Sequence, residues 1–230
     1  MNDCALKLTL AIVEAAPSLP ITVDRTFDAA ARAPTTAGLK RLIDILGAAG
    51  GLIVLAPLFL VLAAAIKIET PGSAIFRQRR GGYLGAVFDI CKFRTMTVTE
   101  DGPTIVQATL DDSRVTRLGR VLRRTSLDEL PQLINVLKGE MSLVGPRPHA
   151  LAHDGYYAAA IPDYGARFKV RPGITGLAQV SGLRGRTEEI CVMAARVDKD
   201  LEYIRTLSLL GDLKILGKTL AMFAFDHAAH

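Results

Sequence analysis

The sequence has no tryptophan, and aromatic residues make up only 6% of its 230 positions. Proteins that hold single-stranded nucleic acid stack the bases on aromatic rings, so this scarcity argues against a nucleic-acid partner. The three cysteines, Cys4, Cys91 and Cys191, lie too far apart for the paired spacing of a zinc site. The chain also contains neither a Walker loop nor a dinucleotide fingerprint, so any nucleotide must be held in another way.

Apolar and basic residues, in contrast, are plentiful. Half of the residues are hydrophobic, and the formal net charge is +5 with a pI near 9.2. A basic protein attracts anionic partners, which leaves a phospholipid surface and a phosphorylated substrate as the leading classes. A chain of 230 residues is long enough to bury the core of one domain and to carry an appended segment.

The longest apolar run, residues 45–66, contains no charged residue. Its 22 residues would form a helix about 33 Å long, enough to cross a bilayer, and a buried core helix is the alternative. Lys40 and Arg41 precede the run and Lys67 follows it, whereas a simple crossing would place basic residues mainly on one side. We therefore predict a re-entrant membrane helix that bends at Pro57, in the middle of the run.

This run divides the chain into four parts. We interpret them as an N-terminal extension or linker (1–38), a membrane-embedded helical segment (39–70), a cytosolic domain (71–225) and a C-terminal tail (226–230). The predicted fold class is α+β and mostly helical, with the small cytosolic domain following the membrane helix.

Two short segments after the apolar run predict a β-hairpin. Residues 74–82 and 86–94 alternate basic and apolar side chains, and Gly81, Gly82 and Gly85 mark the turn between them. The alternation is typical of a strand pair that lines an anionic site, and equally of a hairpin that exposes one charged face. The pattern leaves both interpretations open.

Two helices are predicted near the C-terminus, at residues 187–205 and 209–223. The second carries an apolar stripe next to Lys214 and Lys218, a pattern typical of a helix that lies on an anionic membrane. The stripe consists of Leu209, Leu213, Leu216, Leu220 and Phe223. Packing of this stripe on the domain core is equally compatible with the sequence.

The segment 120–140 concentrates charged residues in front of an amphipathic helix. A capping box with Ser126 as N-cap is one interpretation, but Pro131 argues against that register. Asp128 is then the better N-cap, with Glu129 in the first turn. The basic residues Arg120, Arg123 and Arg124 lie just upstream. A phosphate and a divalent cation would suit this helix start as well as a cap does, so the residues alone leave structural capping and phosphate chemistry open.

Arg147 lies between Pro146 and Pro148, which restrict the backbone and present the guanidinium group reproducibly. A rigid loop with a solvent-facing arginine is the alternative interpretation. His149 and His153 have a spacing that could bind a metal on a helix, but no third ligand is evident, so we interpret them as structural.

Together, several segments resemble the bacterial sugar transferases, the monotopic polyprenyl-phosphate hexose-1-phosphate transferases that initiate glycan assembly. The matching segments are KRLID (40–44), KFRTM (92–96), SLDELPQL (126–133), VGPRP (144–148), RPGITG (171–176) and DLKI (212–215). They occur in order across residues 38–223, and residues 179–187 are most similar to members that transfer glucose 1-phosphate. In one departure, the family often has serine before the membrane-segment proline, whereas this chain has Ala56.

The resemblance implies an enzyme that moves a hexose 1-phosphate, with glucose 1-phosphate expected, from a UDP-sugar to undecaprenyl phosphate and releases UMP. It implies that Asp128 is the nucleophile of a phosphosugar-aspartate intermediate and that Glu129, with Asp128, holds Mg²⁺. The phosphate-binding residues would be Arg123, Arg147, Lys92 and Arg94, with Asp200 in an auxiliary role. Residues of these types suit the chemistry, because a carboxylate can attack phosphorus while cations neutralise the phosphate oxygens.

The same resemblance implies a location and a set of partners. The enzyme would sit in the bacterial inner membrane with its catalytic domain on the cytoplasmic face, in contact with membrane lipid, and the resemblance is compatible with a homodimer. An inactive scaffold protein of the same fold is the alternative, and the intact Asp128, Glu129 and Arg147 argue against it.

Overall fold

The computed structural model describes residues 34–97, 112–184 and 189–225, and side chains between residues 37 and 222. Most of the N-terminal extension and the C-terminal tail therefore lie outside the described residues. Within the described ranges the protein is mostly helical. The helices are α1 (Pro34–Glu69), α2 (Arg117–Thr125), α3 (Gln132–Lys138), α4 (Leu151–Ala160), α5 (Leu177–Val180), α6 (Ile190–Arg205) and α7 (Leu209–Phe225). The strands are β1 (Ile75–Gly81), β2 (Val87–Phe93), β3 (Ser142–Val144) and β4 (Gly173–Thr175).

The predicted β-hairpin is confirmed. Strands β1 and β2 pair in antiparallel register from Ile75 opposite Phe93 to Gly81 opposite Val87. The glycine-rich turn closes with a hydrogen bond from the Gly82 amide to the carbonyl of residue 86. Buried Phe88 and Ile90 face the core on one side of β2, so the pleat of the strand sets which side chains the hairpin directs inward.

A second, smaller sheet joins two segments that the sequence did not identify as strands. Strands β3 and β4 are parallel, with Ser142 opposite Gly173 and Val144 opposite Thr175. A Cβ atom at Gly173 would lie 2.0 Å from the Gly145 amide nitrogen, so only glycine allows this approach of the two backbones. Strand β4 lies within the segment 167–177, which begins with a basic run at residues 167–171.

Helix α1 is a single helix that contains Pro57 and begins at Pro34, inside the segment interpreted as a linker. Its length and apolar composition are sufficient to cross a membrane, and only 11% of its most apolar stretch is buried against the rest of the protein. The most exposed large side chains on it include Ile53, Val54 and Leu60. A core helix would be mostly buried, so the exposure supports membrane association over core packing.

One side of α1 nevertheless completes the domain core at two places. Buried Ala48 packs with Leu133 and Met141, which belong to and follow α3. Further along the helix, Leu62 packs in a cluster with Phe93 of β2. The helix therefore presents one face to the domain and leaves the other exposed.

Polar contacts fasten the first turns of α1 to the domain. Lys40 donates a hydrogen bond to the Val144 carbonyl over 3.0 Å and forms an ion pair with Asp212 of α7. The same Asp212 accepts a hydrogen bond of 2.9 Å from the Tyr203 hydroxyl of α6. These contacts tie the start of α1 to β3, α6 and α7.

Two further residues of the KRLID segment (40–44) form hydrogen bonds with backbone groups. Arg41 donates to the carbonyls of Val136 and Leu137 over 2.6 and 2.9 Å, at the C-terminal end of α3. Carbonyls in the last turn of a helix carry partial negative charge, so a cation suits them, and the Val136 carbonyl also accepts the Gly139 amide. Asp44 is buried and accepts the Leu143 amide over 2.9 Å. The KRLID segment thus attaches the start of α1 to α3 and β3.

Both predicted C-terminal helices are present. Helix α6 contributes buried Met193 and Val197 to a core cluster with Tyr164 and Phe168. Helix α7 packs buried Ile215 inward, whereas three leucines on it remain largely exposed. These are Leu210, Leu213 and Leu220. The apolar stripe predicted for α7 is therefore only partly covered by the domain.

Candidate active site

Asp128 and Glu129 lie in a short 3₁₀ turn between α2 and α3. Ser126 ends α2 in the left-handed region, with φ 55° and ψ 18°, and the turn spans Leu127–Glu129. Helix α3 starts only at Gln132, and Pro131 occupies its N-cap position. The prediction that Asp128 caps the helix is therefore wrong. The left-handed Ser126 forces a separate turn, and the helix begins after the proline.

Glu129 is held by two cationic side chains. Arg147 donates from Nη1 to Oε2 over 2.9 Å and from Nη2 to Oε1, which makes a two-pronged contact. Lys92 of β2 donates to Oε1 over 2.8 Å. Both oxygens of Glu129 are thus occupied by charge-assisted hydrogen bonds, which are the strong class of such bonds.

The protonation of Glu129 reflects this balance. Burial raises the pKa of its carboxyl group, but the opposing charges of Arg147 and Lys92 outweigh burial and hold the pKa well below its usual value. The pKa of Arg147 is raised, chiefly by Glu129. Glu129 is therefore ionised at neutral pH, and its charge is shared between two cations.

Asp128 differs from its neighbour. Among the described residues none donates a hydrogen bond to its carboxyl group, which is half-buried. Burial raises its pKa to about 6, and the charge of Glu129 adds to that effect, whereas Lys92 and more weakly Arg147 oppose it. At pH 7 the carboxylate is mostly ionised and lies within the field of several cations without being bonded to any of them. This is the state that a nucleophile requires.

The other two predicted phosphate-binding residues, Arg123 and Arg94, lie in different places. Arg123 lies in the last turn of α2, and its charge is among those that lower the pKa of Asp128. Arg94 donates to the carbonyls of Thr70 over 2.6 Å and of Pro71, where the chain leaves α1. Lys92 and Arg147 both contact Glu129, and the charge of Arg123 acts on Asp128. The bonded partners of Arg94 are backbone groups of the α1 to β1 connection.

Asp200, predicted to be auxiliary, is linked to Glu129 through Arg167 and Arg147. It accepts a hydrogen bond of 2.8 Å from Nε of Arg167, and both side chains are buried. Arg167 in turn donates to the Arg147 carbonyl over 2.6 Å. The sequence analysis did not single out Arg167. Its only signal was its place at the start of the basic run 167–171.

The two histidines interpreted as structural are found among aromatic rings. His149 Nδ1 lies 3.0 Å from the Tyr164 hydroxyl, which donates to Asp154 over 2.6 Å. Burial, followed by the charge of Arg167, lowers the pKa of His149 well below its usual value, so the ring is neutral. His153 contacts the ring of Tyr157. Within the described ranges no three His, Cys, Asp or Glu side chains gather around a common metal position.

The segment that most resembles glucose 1-phosphate transferases reaches the same turn. Arg184 donates from Nη2 to the Ser126 hydroxyl over 2.7 Å. Ser126 directly precedes the 3₁₀ turn that contains Asp128. The contact therefore brings a further guanidinium group to the start of this turn. The last part of that segment, residues 185–187, lies outside the described residues.

Two neighbouring carboxylates, those of Asp128 and Glu129, are the residues at this turn that could hold a magnesium ion. Mg²⁺ is usually bound by one or two carboxylates, with phosphate oxygens and water completing its shell. Asp128 offers an unbonded carboxylate, and Glu129 offers a second one that Lys92 and Arg147 already hold. A third protein ligand is not needed for such a site.

The sequence matches a known protein family over most of its length. The bacterial sugar transferase family matches residues 35–226, a range that includes every site residue described above. The chain is 59% identical over 190 residues to the UDP-glucose:undecaprenyl-phosphate glucose-1-phosphate transferase of Caulobacter vibrioides, which covers 82% of this chain and 71% of that protein.

Two further relatives differ in the share of their own length that the match covers. It is 49% identical over 192 residues to the protein of the same name from Escherichia coli, covering 84% of this chain and 41% of the relative. It is 44% identical over 186 residues to the exopolysaccharide production protein PSS of Rhizobium leguminosarum bv. phaseoli, covering 79% of this chain and 93% of the relative. The match across most of its length shows that this chain belongs to the bacterial sugar transferase family.

Proposed function

We propose that the protein transfers glucose 1-phosphate from UDP-glucose to undecaprenyl phosphate and releases UMP, as the first membrane step of exopolysaccharide or related glycan synthesis. The names of the Caulobacter and Escherichia relatives support the two substrates, and the name of the Rhizobium relative supports the pathway class. The observation that carries the proposal is the pairing of an unbonded Asp128 with a neighbouring Glu129 that is held by Lys92 and Arg147.

The reaction proceeds in two displacements at one phosphorus atom. A carboxylate oxygen of Asp128 attacks the phosphorus that bears the sugar, the bond to the bridging oxygen breaks, and UMP leaves with the electron pair. A phosphate oxygen of undecaprenyl phosphate then attacks the same phosphorus, and the bond to Asp128 breaks. The carboxylate is regenerated, and the product is a diphosphate that joins the lipid to the sugar.

The cations of the site serve the charge that accumulates in each displacement. Phosphoryl transfer depends mainly on positioning and on neutralising the phosphate oxygens. Lys92 and Arg147 supply fixed positive charge beside Asp128, and Arg123 adds to it. We assign these three residues to the binding of the UDP-sugar diphosphate, with Arg94, the residue that follows β2, as another candidate.

Magnesium belongs to the same proposal. Asp128 and Glu129 would hold the ion, and it would neutralise diphosphate charge when bound. Because Glu129 is shared with two cationic side chains, we expect the ion to take most of its remaining ligands from substrate and water. Glu129 would then both orient Arg147 and help to hold the metal.

We also propose that α1 is re-entrant and that the domain lies on the cytoplasmic face of the inner membrane. Basic residues flank the apolar stretch on both sides, and Pro57 lies inside the helix. The exposed leucines of α7 give a second apolar surface for the interface. Ala56 provides no hydroxyl to satisfy backbone groups near the proline, so neighbouring carbonyls there would rely on other partners.

Turnover by the purified full-length chain tests the function. Given UDP-glucose, Mg²⁺ and undecaprenyl phosphate, the protein should release UMP, and Asp128→Asn should abolish that release. Given UDP-glucose without the lipid, wild-type protein should gain the mass of one hexose phosphate on the peptide that contains Asp128. Asp198→Asn, a change at an exposed position on α6, is the matched control.

The outcomes separate an enzyme from a scaffold. UDP-glucose binding without UMP release from wild-type protein would identify an inactive binding protein of this fold. UMP release that survives Asp128→Asn would overturn the assignment of the nucleophile. A panel of UDP-galactose and UDP-N-acetylhexosamines under the same conditions identifies the preferred sugar, for which we expect glucose.

A further inference from the structure

Arg167 joins three parts of the structure from a buried position. It is only 4% exposed and lies in the 3₁₀ turn Tyr164–Lys169. Its guanidinium group donates from Nε to Asp200 over 2.8 Å and from Nη2 to the Arg147 carbonyl over 2.6 Å. Nη1 lies 3.1 Å from His149 Nδ1, and the group packs over the Tyr164 ring at 4.9 Å. Its position is therefore fixed from several sides.

The segment around Arg147 has few backbone bonds of its own. Pro146 and Pro148 lack an amide hydrogen, so neither can donate to a neighbouring strand. The Pro146 carbonyl accepts the Gly173 amide over 2.9 Å, at the end of the β3 and β4 pair. One residue later, the carbonyl of Arg147 is bound by the side chain of Arg167. The Arg167 side chain thus donates the hydrogen bond that a backbone amide would donate to this carbonyl in a regular sheet.

Asp200 makes this arrangement possible. A buried guanidinium group without a counter-charge would be very costly, and Asp200 is itself only 1% exposed. The pair therefore depends on both partners being present. Arg167 of this pair donates a hydrogen bond to the backbone carbonyl of Arg147, whereas the side chain of Arg147 donates to Glu129.

We propose that Arg167 and Asp200 are positioning residues that act through the backbone of Arg147. Arg167 sets where the Arg147 guanidinium meets Glu129 and the substrate diphosphate, and Asp200 holds Arg167 in place. This assignment rests on the proposed function. It gives Asp200 an indirect role and adds Arg167, whose part in the site is visible only in three dimensions.

A double-mutant cycle on kcat/KM for UMP release tests the assignment. Arg167→Met in the wild-type background should lower kcat/KM about tenfold to hundredfold, as expected for a misplaced catalytic group. In an Arg147→Gln background the same change should lower it less than about twofold, because the group that Arg167 positions is already absent. Arg167→Lys, which keeps the charge and one donor, should restore part of the loss in the wild-type background.

The matched control is Lys40→Met, which removes an ion pair to Asp212 at the base of α1. A general loss of folded protein lowers kcat/KM by the same factor in both backgrounds, and we expect that behaviour from Lys40→Met. The same factor for Arg167→Met in both backgrounds, or no effect in either, would overturn the proposal.

A variant that fails to fold does not stop the test. If Arg167→Met cannot be purified, Asp200→Asn replaces it in the cycle under the same criteria, because it keeps the shape and removes the charge that holds Arg167. Failure of the proposed function has a different signature, since wild-type protein itself would then release no UMP.

Discussion

Asp128 and Glu129 are adjacent in sequence, yet only Glu129 is bound by cations. Arg147 and Lys92 occupy both oxygens of Glu129, whereas no described residue donates a hydrogen bond to Asp128. The two carboxyl groups accordingly have pKa values shifted in opposite directions, with Asp128 raised and Glu129 lowered. Such a split is typical of a pair in which one group reacts and the other organises the site.

The pH dependence of the reaction should report the protonation of Asp128. Burial raises the pKa of Asp128 to about 6, and only the ionised form can attack phosphorus. Activity should therefore be full well above that pKa and fall as the pH drops through about 6. We expect this acidic limb in kcat/KM for UMP release, because kcat/KM reflects the free enzyme. A rate that stays constant down to about pH 5 would contradict the role of Asp128.

Removing the charge of Lys92 should move that limb. Lys92 is the strongest of the charges that lower the pKa of Asp128, so Lys92→Met should raise that pKa and shift the acidic limb to higher pH. The same pH series measures the shift. Arg77→Met removes an exposed cation from the neighbouring strand β1 and should leave the limb in place. An unmoved limb in Lys92→Met would place Lys92 outside the field of the reacting carboxylate.

The response to magnesium should depend on Glu129. Glu129→Gln keeps the size of the side chain but loses the negative charge, so the half-saturating Mg²⁺ concentration should rise about tenfold or more. Titration of UMP release with Mg²⁺ measures this value. Glu202→Gln, at an exposed site on α6, serves as the comparison. Identical Mg²⁺ titrations for Glu129→Gln and wild type would remove Glu129 from the metal site.

The path of α1 through the membrane can be read by labelling its two ends. In a chain whose native cysteines are replaced by serine, single cysteines at Gly38 and Ile68 lie on exposed positions beside the apolar stretch. A re-entrant helix places both on the cytoplasmic side, so a membrane-impermeant thiol reagent added to intact cells should label neither. Both should react after the cells are opened. Labelling of one end in intact cells would indicate a helix that spans the membrane.

Local patterns predicted much of this architecture. The alternation around Phe88 and Ile90 indicated the β-hairpin, and the charge-free run 45–66 indicated the long helix α1. These features depend on residues close together in the chain, where side-chain period and length carry the signal. The motif residues Lys92 and Arg147 also both contact Glu129, whereas the roles of all three stay predictions from the family resemblance.

The remaining features depend on contacts between distant residues or on an unusual backbone. Strands β3 and β4 have only three residues each, too few for a recognisable period, and helix α4 lies between them in the chain. The left-handed conformation of Ser126 moved the start of α3 past Pro131, which no propensity would indicate. Arg167 reaches Arg147 and Asp200 through tertiary packing alone. Sequence periodicity contains no information on such a contact.

The way α1 completes the core has a consequence for how this protein is made and handled. Ala48 and Leu62 pack in the core beside Leu133 and Phe93, whereas the opposite side of the same helix is apolar and exposed. A shortened version without α1 would expose that interior to water and should aggregate when expressed. During synthesis α1 emerges before the rest of the domain, so the later elements would assemble against a helix already settled in lipid.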